Sequence, residues 1–257
     1  MENTTGRRVL ITGAASGLGA ALATAFESRG DRVLRTDRTA DGVDLALDIT
    51  SEQDWAEARA HVALTWGGLD VLVNNAGVAG GGRLDIATLE EWQWITDINL
   101  FGTVRGLREF VPMFKEQGSG GHIVNVASLA GLVHPAGMGS YNAVKAAVVA
   151  LSETAGHELA AYDVQVSVVC PSYFRTNLMD SLRGADTGLG AVMSSLVERS
   201  PITAEEVAAA VLAGMDAGEQ VIIPDDSARG AWTLKQNDRA GYDEVMRRQA
   251  AKLDQME

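Results

Sequence analysis

The sequence predicts an α/β fold: a single-domain, doubly wound parallel sheet with helices on both faces. Three observations predict it. Short apolar runs alternate strictly with helical patterns along most of the chain, and such alternation builds parallel sheets. No linker, internal repeat or low-complexity stretch divides the 257 residues, so they read as one domain. The chemically suggestive residues fall at or just after the carboxyl ends of strands, where sheets of this kind bind ligands.

The elements follow in order. Arg8-Val9-Leu10-Ile11 is a strand, and 17–28 a helix with small and apolar residues on one face. Residues 32–36 and 44–47 are the second and third strands. Residues 51–66 are helical, opening with Ser51 as cap and Glu52 as first-turn acid. Residues 69–73 form the fourth strand, 89–117 a long helix, 121–126 the fifth strand, 140–162 a long helix and 164–170 the sixth strand. Residues 172–200, rich in Gly, Ser and Met beyond 176, have weak periodicity and are expected to be a mobile segment over the site. From about residue 230 the chain is a polar, helical tail of its own.

Composition narrows the function. Hydrophobic residues make up 46% of the chain, enough for a sizeable core, and the net charge is −13. That charge argues against a nucleic-acid partner, which would call for basic patches. The one cysteine, Cys170, excludes an internal disulfide and reads as a buried strand-end thiol. His61, His122, His134 and His157 show no metal-ligand spacing. The stretch from Met1 to Arg8 is polar, with no signal-peptide core, and no apolar run reaches membrane-spanning length. A cytoplasmic protein is expected.

Between the first strand and first helix stands Thr12-Gly13-Ala14-Ala15-Ser16-Gly17-Leu18-Gly19. Glycines let a backbone turn sharply and approach a pyrophosphate closely. The helix start behind them offers free N–H groups and a positive dipole end. The spacing is G-x-x-x-G-x-G rather than G-x-G-x-x-G. Asp37 ends the second strand eighteen residues past Gly19, the place for an acid that accepts hydrogen bonds from adenosine ribose hydroxyls. Loop and acid together predict a dinucleotide site.

Tyr141 and Lys145 are four residues apart on one helix face. A tyrosine with a pKa near 10 is a poor base, and a neighbouring ammonium is expected to lower it. Tyr141 could then exchange a proton with an alcohol or carbonyl as hydride leaves or arrives. Such pairs are common on surface helices, so this one gains meaning from its company. Ser128, just after the fifth strand, can donate to a substrate oxygen, and Asn99 is an amide inside a long helix.

With these residues in view, the sequence resembles the short-chain dehydrogenase/reductase family over roughly residues 6–225, and the fold it implies is Rossmann-type. Thr12-Gly13-x-x-x-Gly17-x-Gly19 is similar to the family's nucleotide loop, and Asn74-Asn75-Ala76-Gly77 to its segment after the fourth strand. Asn99, Ser128, Tyr141 and Lys145 match its catalytic set in order and spacing. The resemblance implies that Tyr141 is the acid/base and that Ser128 orients the substrate oxygen. Lys145 lowers the tyrosine pKa and binds the nicotinamide ribose, and Asn99 with a water connects Lys145 to solvent. It implies cofactor contacts from Gly13, Ser16, Gly17, Leu18, Gly19, Asp37, Asp48, Ile49, Asn75, Ala76, Gly77, Tyr141, Lys145, Pro171 and Thr176. It implies no metal.

Two departures stand out. The family's Pro-Gly after the sixth strand is here Pro171-Ser172-Tyr173-Phe174, which adds two aromatics near the substrate. Its Asp-Gly-Gly segment near the end is replaced by Val221-Ile222-Ile223-Pro224-Asp225-Asp226, which puts a tetramer in doubt. The resemblance implies a homodimer through helices 89–117 and 140–162, using the stretch Ile98-Asn99-Leu100-Phe101 with Val104, Leu107, Phe110 and Val111, and on the second helix Ala143, Ala146, Ala147, Ala150 and Leu151.

The expected substrate lining is Val78, Leu129, Val133, Met138, Tyr173, Phe174, Leu178 and Met179. It suits an apolar secondary alcohol or ketone, cyclic and steroid-like forms included. Arg175 and His134 are the residues that would bind a carboxylate instead. The cofactor expected is NAD(H) rather than NADP(H), on account of Asp37. The alternative is a non-catalytic NAD(H)-binding sensor, which would have no need of Ser128, Tyr141 and Lys145 together. An epimerase of the extended branch would need a longer substrate domain than this chain has.

Overall fold

Central strands rich in Val, Leu and Ile bury both of their faces, while the edge strands stay partly exposed. The computed structural model describes residues 6–253 and Gln255. The polar start read at Met1 to Arg8 therefore lies mostly outside the described residues. Seven strands run parallel: β1 Arg8–Thr12, β2 Arg32–Asp37, β3 Leu45–Ala46, β4 Val71–Asn74, β5 Gly121–Val126, β6 Val164–Val169 and β7 Val221–Ile222, in the spatial order β3-β2-β1-β4-β5-β6-β7. The helices are α1 Gly17–Ser28, α2 Glu52–Trp66, α3 Leu89–Thr96, α4 Gly102–Gln117, α5 Ala130–Val133, α6 Gly139–Leu159, α7 Thr187–Glu198, α8 Ala204–Asp216, α9 Asp226–Asn237 and α10 Arg239–Leu253. β1 is flanked by β2 on one side and β4 on the other, so the strand order reverses there. That reversal opens a crevice at the carboxyl ends.

Side chains alternate across the sheet, as period-two geometry requires. Val9, Ile11, Val71, Val73 and Val124 join Leu22 and Phe26 of α1 and Val207 and Val211 of α8 in one core. Leu10, Leu72 and Ile123 face the other way, onto Trp55 and Val62 of α2, Phe110 and Phe114 of α4 and Leu159 of α6.

The expected 89–117 helix is continuous in path but not in type. A π-helical turn, Asp97–Phe101, joins α3 to α4. Such turns insert an extra residue and recur at functional sites. This one carries Asn99, whose side chain is buried in the interior. Leu107 and Phe110 are themselves buried in the chain's own core, which removes them from the expected dimer face. Phe101, at 48% exposure, stays outside.

The chain after residue 176 is more regular than its composition suggests. A 3-10 turn, Asn177–Ser181, and α7 occupy the segment expected to be irregular. Asp186 caps α7 by accepting from the Leu189 N–H at 3.2 Å and pairs with Arg83 at 2.9 Å. α8 opens with a full capping box, Thr203 with Glu206.

His122 on β5 is buried, and its Nε2 lies 2.9 Å from Ser167 Oγ on β6. Ser167 donates its own hydroxyl proton to the Glu219 carbonyl at 2.6 Å, so Nε2 is the donor to Ser167. Burial pushes the imidazole down from 6.5 to about 4. The unfolded chain therefore takes up this proton first on acidification. Stability is present above pH 6.5 and is lost as pH falls toward about 4. The loss is on the order of 3 kcal/mol. Urea unfolding at pH 7 and pH 4.5 should show a smaller acid loss for His122→Gln than for the natural chain. Equal losses would show that this imidazole does not contribute.

Candidate active site

The loop after β1 is shaped by what it cannot accommodate. Gly13 has φ +67°, the left-handed region, and a Cβ there would sit 2.9 Å from the Ala76 Cα. A Cβ on Gly19 would sit 2.0 Å from the Gly13 carbonyl oxygen, so α1 starts in direct backbone contact with the loop. Thr12 Oγ1 accepts from the N–H groups of Asn75 at 3.0 Å and Ala76 at 3.1 Å. The Asn75 amide donates back to the Thr12 carbonyl at 2.9 Å and the Gly13 carbonyl at 3.2 Å. The two strand ends flanking the crevice are thereby locked together.

α1, like α4, α5 and α6, starts without a side-chain cap or a first-turn acid. Ser51, Thr88, Asp186, Thr203 and Asp225 cap their helices through side chains, whereas Ser16 makes no side-chain cap and α1 has no acid in its first turn. An uncapped helix start behind a cradle of glycines fits a pyrophosphate. Asp37 stands beside it, accepting from the Ala15 N–H at 3.1 Å and the Arg38 N–H at 2.7 Å. Asp48 accepts from the Thr50 N–H and hydroxyl at 2.9 and 2.7 Å, and Ile49 is buried against Gly102.

The reacting group lies at the other end of the crevice. α6 places Tyr141 and Lys145 on its inward face, both buried. The Lys145 ammonium donates to the Val126 carbonyl at 3.0 Å and lies 5.7 Å from the Tyr141 ring centre. Burial lowers Lys145 to about 8. Burial also pushes the Tyr141 phenol up to about 12, while a hydrogen bond with Ser128 pulls the other way. The expected depression of Tyr141 by Lys145 is thus overturned: both groups are desolvated, and each moves toward its neutral form. Asn99 is buried behind them. Its Oδ1 accepts from the Val78 N–H at 2.8 Å and its Nδ2 donates to the Val78 carbonyl at 2.9 Å. A Cβ on Gly77 would lie 2.9 Å from Asn99 Oδ1 and 3.8 Å from Lys145 Nζ, so these three residues are neighbours.

One cleft of about 1710 Å³ joins the two ends. Gly13, Ser16, Gly17, Leu18, Asp37, Asp48, Ile49, Asn75, Ala76, Gly77, Ser128, Tyr141, Lys145, Pro171 and Thr176 all line it. Gly19 and Asn99 stand behind its wall. The eight expected substrate-lining residues line it too, Tyr173 and Phe174 among them. Arg175 and His134 do not. Arg175 donates to the Ser200 carbonyl at 3.4 Å, and His134 Nδ1 is 2.7 Å from Lys235 Nζ. Sequence reasoning missed Leu189 and Met193 on α7, which share a buried cluster with Tyr141 and Met138. It also missed Tyr242, Met246, Gln249 and Leu253 on α10. The tail is therefore not separate from the site.

A doubly wound sheet with a phosphate cradle at its switch point and a buried Tyr–Lys–Ser group beside it defines a dinucleotide-dependent oxidoreductase. The family model described as short chain dehydrogenase matches residues 7–187. The chain belongs to the short-chain dehydrogenase family, whose members act on CH–OH groups with a nicotinamide dinucleotide. It is 34% identical to an NADP-dependent (R)-specific alcohol dehydrogenase of Lentilactobacillus kefiri, over 70% of this chain and 78% of that one. It is 34% identical to a 3-alpha-(or 20-beta)-hydroxysteroid dehydrogenase of Mycobacterium bovis, over 68% and 72%. A short-chain dehydrogenase/reductase from Burkholderia phymatum, solved in complex with NAD, superposes with a TM-score of 0.85 at 27% identity, covering 93% of this chain and 96% of that one. Among the described residues, no helix is long and apolar enough to cross a membrane.

Proposed function

We propose that this chain interconverts a largely apolar secondary alcohol and its ketone, with NAD(H) preferred over NADP(H). The observation that carries the reading is the burial of Tyr141 in an apolar cluster with Ile95, Met138, Val144, Leu189 and Met193. Tyr141 exchanges the proton of the substrate oxygen, Ser128 donates a hydrogen bond to that oxygen, and Lys145 holds the nicotinamide ribose. Asn99 keeps the Val78 backbone in place beside Lys145 and serves the proton path to solvent. The bound nicotinamide supplies or accepts the hydride. Residues 172–200 close over the substrate, with α7 as the covering helix. The rival sensor reading has no use for this buried group.

Asp37 supports NAD. Its two oxygens accept from the Ala15 and Arg38 N–H groups, which hold the carboxylate beside the glycine loop and support a role as acceptor for ribose hydroxyls. The 2′-phosphate of NADP would occupy the same space. Two like charges about 4 Å apart repel by about 4 kcal/mol at an effective dielectric near 20, and solvent screens part of that. Arg38 is the opposing feature, since a guanidinium beside the acid suits a phosphate. The same reading includes a homodimer through the outer faces of α4 and α6, where Phe101 is exposed and Ala143 and Ala150 are small. A cytoplasmic setting belongs to it as well.

The test is kcat/KM for a panel of ketones and alcohols with both cofactors. Apolar ketones should be the best substrates, and NAD(H) should be favoured by about ten- to a hundredfold. Phosphorylated or multiply charged compounds at the head of the panel would overturn the substrate reading. Equal use of NADP(H) would show that Arg38 outweighs Asp37.

A further inference from the structure

The match to the family ends at residue 187, and α9 and α10 lie wholly beyond it. On α10, Tyr242, Met246, Gln249 and Leu253 recur at intervals of four, three and four residues, which puts them on one helix face. All four line the cleft. Leu253 packs against the cluster that holds Tyr141 and Met138, and a Cβ on Gly137 would lie 2.8 Å from its Cδ1.

The tail formed by α9 and α10 is fixed at its start, in its middle and at its tip. At its base, the Ser172 hydroxyl donates to Asp225 Oδ2 at 2.7 Å, while Asp225 Oδ1 caps α9 through the Ala228 N–H at 2.8 Å. The Ser that replaces the family's glycine therefore anchors the tail. In the middle, the four-residue helix α5 ends with carbonyls that need donors. Lys235 Nζ donates to the Leu132 carbonyl at 2.5 Å, and the Tyr242 hydroxyl donates to the Val133 carbonyl. Lys235 also donates to His134 Nδ1, which leaves Nε2 to donate to the Gly131 carbonyl at 3.1 Å. At the tip, Arg83 Nη1 donates to the Leu253 carbonyl at 3.2 Å while its Nε holds Asp186 at the start of α7. The tail is thus bonded to the segment after Ser128 and linked through Arg83 to the covering helix.

We propose that the Tyr242–Met246–Gln249–Leu253 face of α10 is the wall that sets the size of ketone the site accepts, and that Lys235, on α9 and 5.9 Å from the Tyr242 ring centre, is a positioning residue that ties the tail carrying this wall to α5. The proposal rests on the reading of the cleft as a site for apolar alcohols and ketones. Met246 is a flexible, half-buried member of the face and lines the same cleft as Tyr141, so its volume changes the space that cleft offers a substrate.

The experiment compares kcat/KM for a four-ring 3-ketosteroid with that for cyclohexanone, using NADH. Met246→Trp should lower the steroid-to-cyclohexanone ratio by at least about tenfold, and Met246→Ala should raise it by about threefold or more. Lys235→Met should raise the steroid KM by about fivefold or more with little change in steroid kcat, and Lys235→Arg should restore it. NADH affinity and melting temperature are followed in each variant, so that general unfolding is separated from loss of the wall. A ratio within about twofold of the natural chain in both Met246 variants overturns the proposal. Turnover of neither ketone by the natural chain overturns the functional reading, and the wall with it.

Discussion

Tyr141→Phe is expected to lower kcat for ketone reduction by at least about two orders of magnitude, the scale of lost acid–base catalysis. The variant keeps the ring, and the ring is what packs with Ile95, Met138 and Met193. It removes only the hydroxyl that pairs with Ser128. NADH affinity, measured by fluorescence titration, should change little, so the defect lies in kcat. The pH profile carries a second expectation. Burial holds the phenol up to about 12, so Tyr141 is a protonated donor throughout the neutral range. Lys145, lowered to about 8, loses its charge as pH rises through that value. A basic limb near 8 in kcat/KM for reduction would therefore report Lys145 in the free enzyme. Near-normal turnover by Tyr141→Phe would show that another group delivers the proton.

The parts of the fold and site that were legible in the sequence are those whose signal is local. Thr12 to Gly19 between a strand and a helix, Asp37 at a strand end, and Tyr141 four residues before Lys145 each state their geometry within a few residues. The structure brings Gly13, Ser16, Gly17, Leu18, Asp37, Tyr141 and Lys145 to one cleft. What the sequence left unread depends on partners distant in the chain. The π turn at Asn99 is invisible because the amide's partner, the Val78 backbone, lies 21 residues away. Leu107 and Phe110 were assigned to a dimer face because the periodicity of a helix does not say which apolar face meets its own sheet. α8, a helix the sequence reading does not name, has a local signal at its start, Thr203 followed by Glu206. The 4-3-4 spacing on α10 was also present, but without the cleft it had nothing to face. The pKa of Tyr141 went the other way from expectation because proximity in sequence says nothing about burial.

Gly19→Ala should raise the dissociation constant for NADH by at least about a hundredfold, equivalent to about 2.7 kcal/mol. The argument is one of volume alone. Gly19 is not in the left-handed region, so alanine suits its backbone conformation and favours the helix it begins. The added methyl would nevertheless stand 2.0 Å from the Gly13 carbonyl oxygen and 2.6 Å from Asn75 Nδ2. No rotamer change relieves a contact between a Cβ and a backbone carbonyl. The carbonyl is itself held by Asn75, whose amide also grips Thr12, so the strain passes into the whole cradle. α1 must move away from the loop, and its free N–H groups move off the pyrophosphate position. Gly30→Ala is the matched control. Gly30 has φ +85° and nothing within 4 Å of its added methyl. Its substitution should cost about 1–2 kcal/mol of stability through backbone strain and leave NADH binding untouched. Titration of both variants separates the two causes. Wild-type affinity in Gly19→Ala would mean that the first turn of α1 does not carry the pyrophosphate, and the cofactor would then have to be placed elsewhere along the cleft.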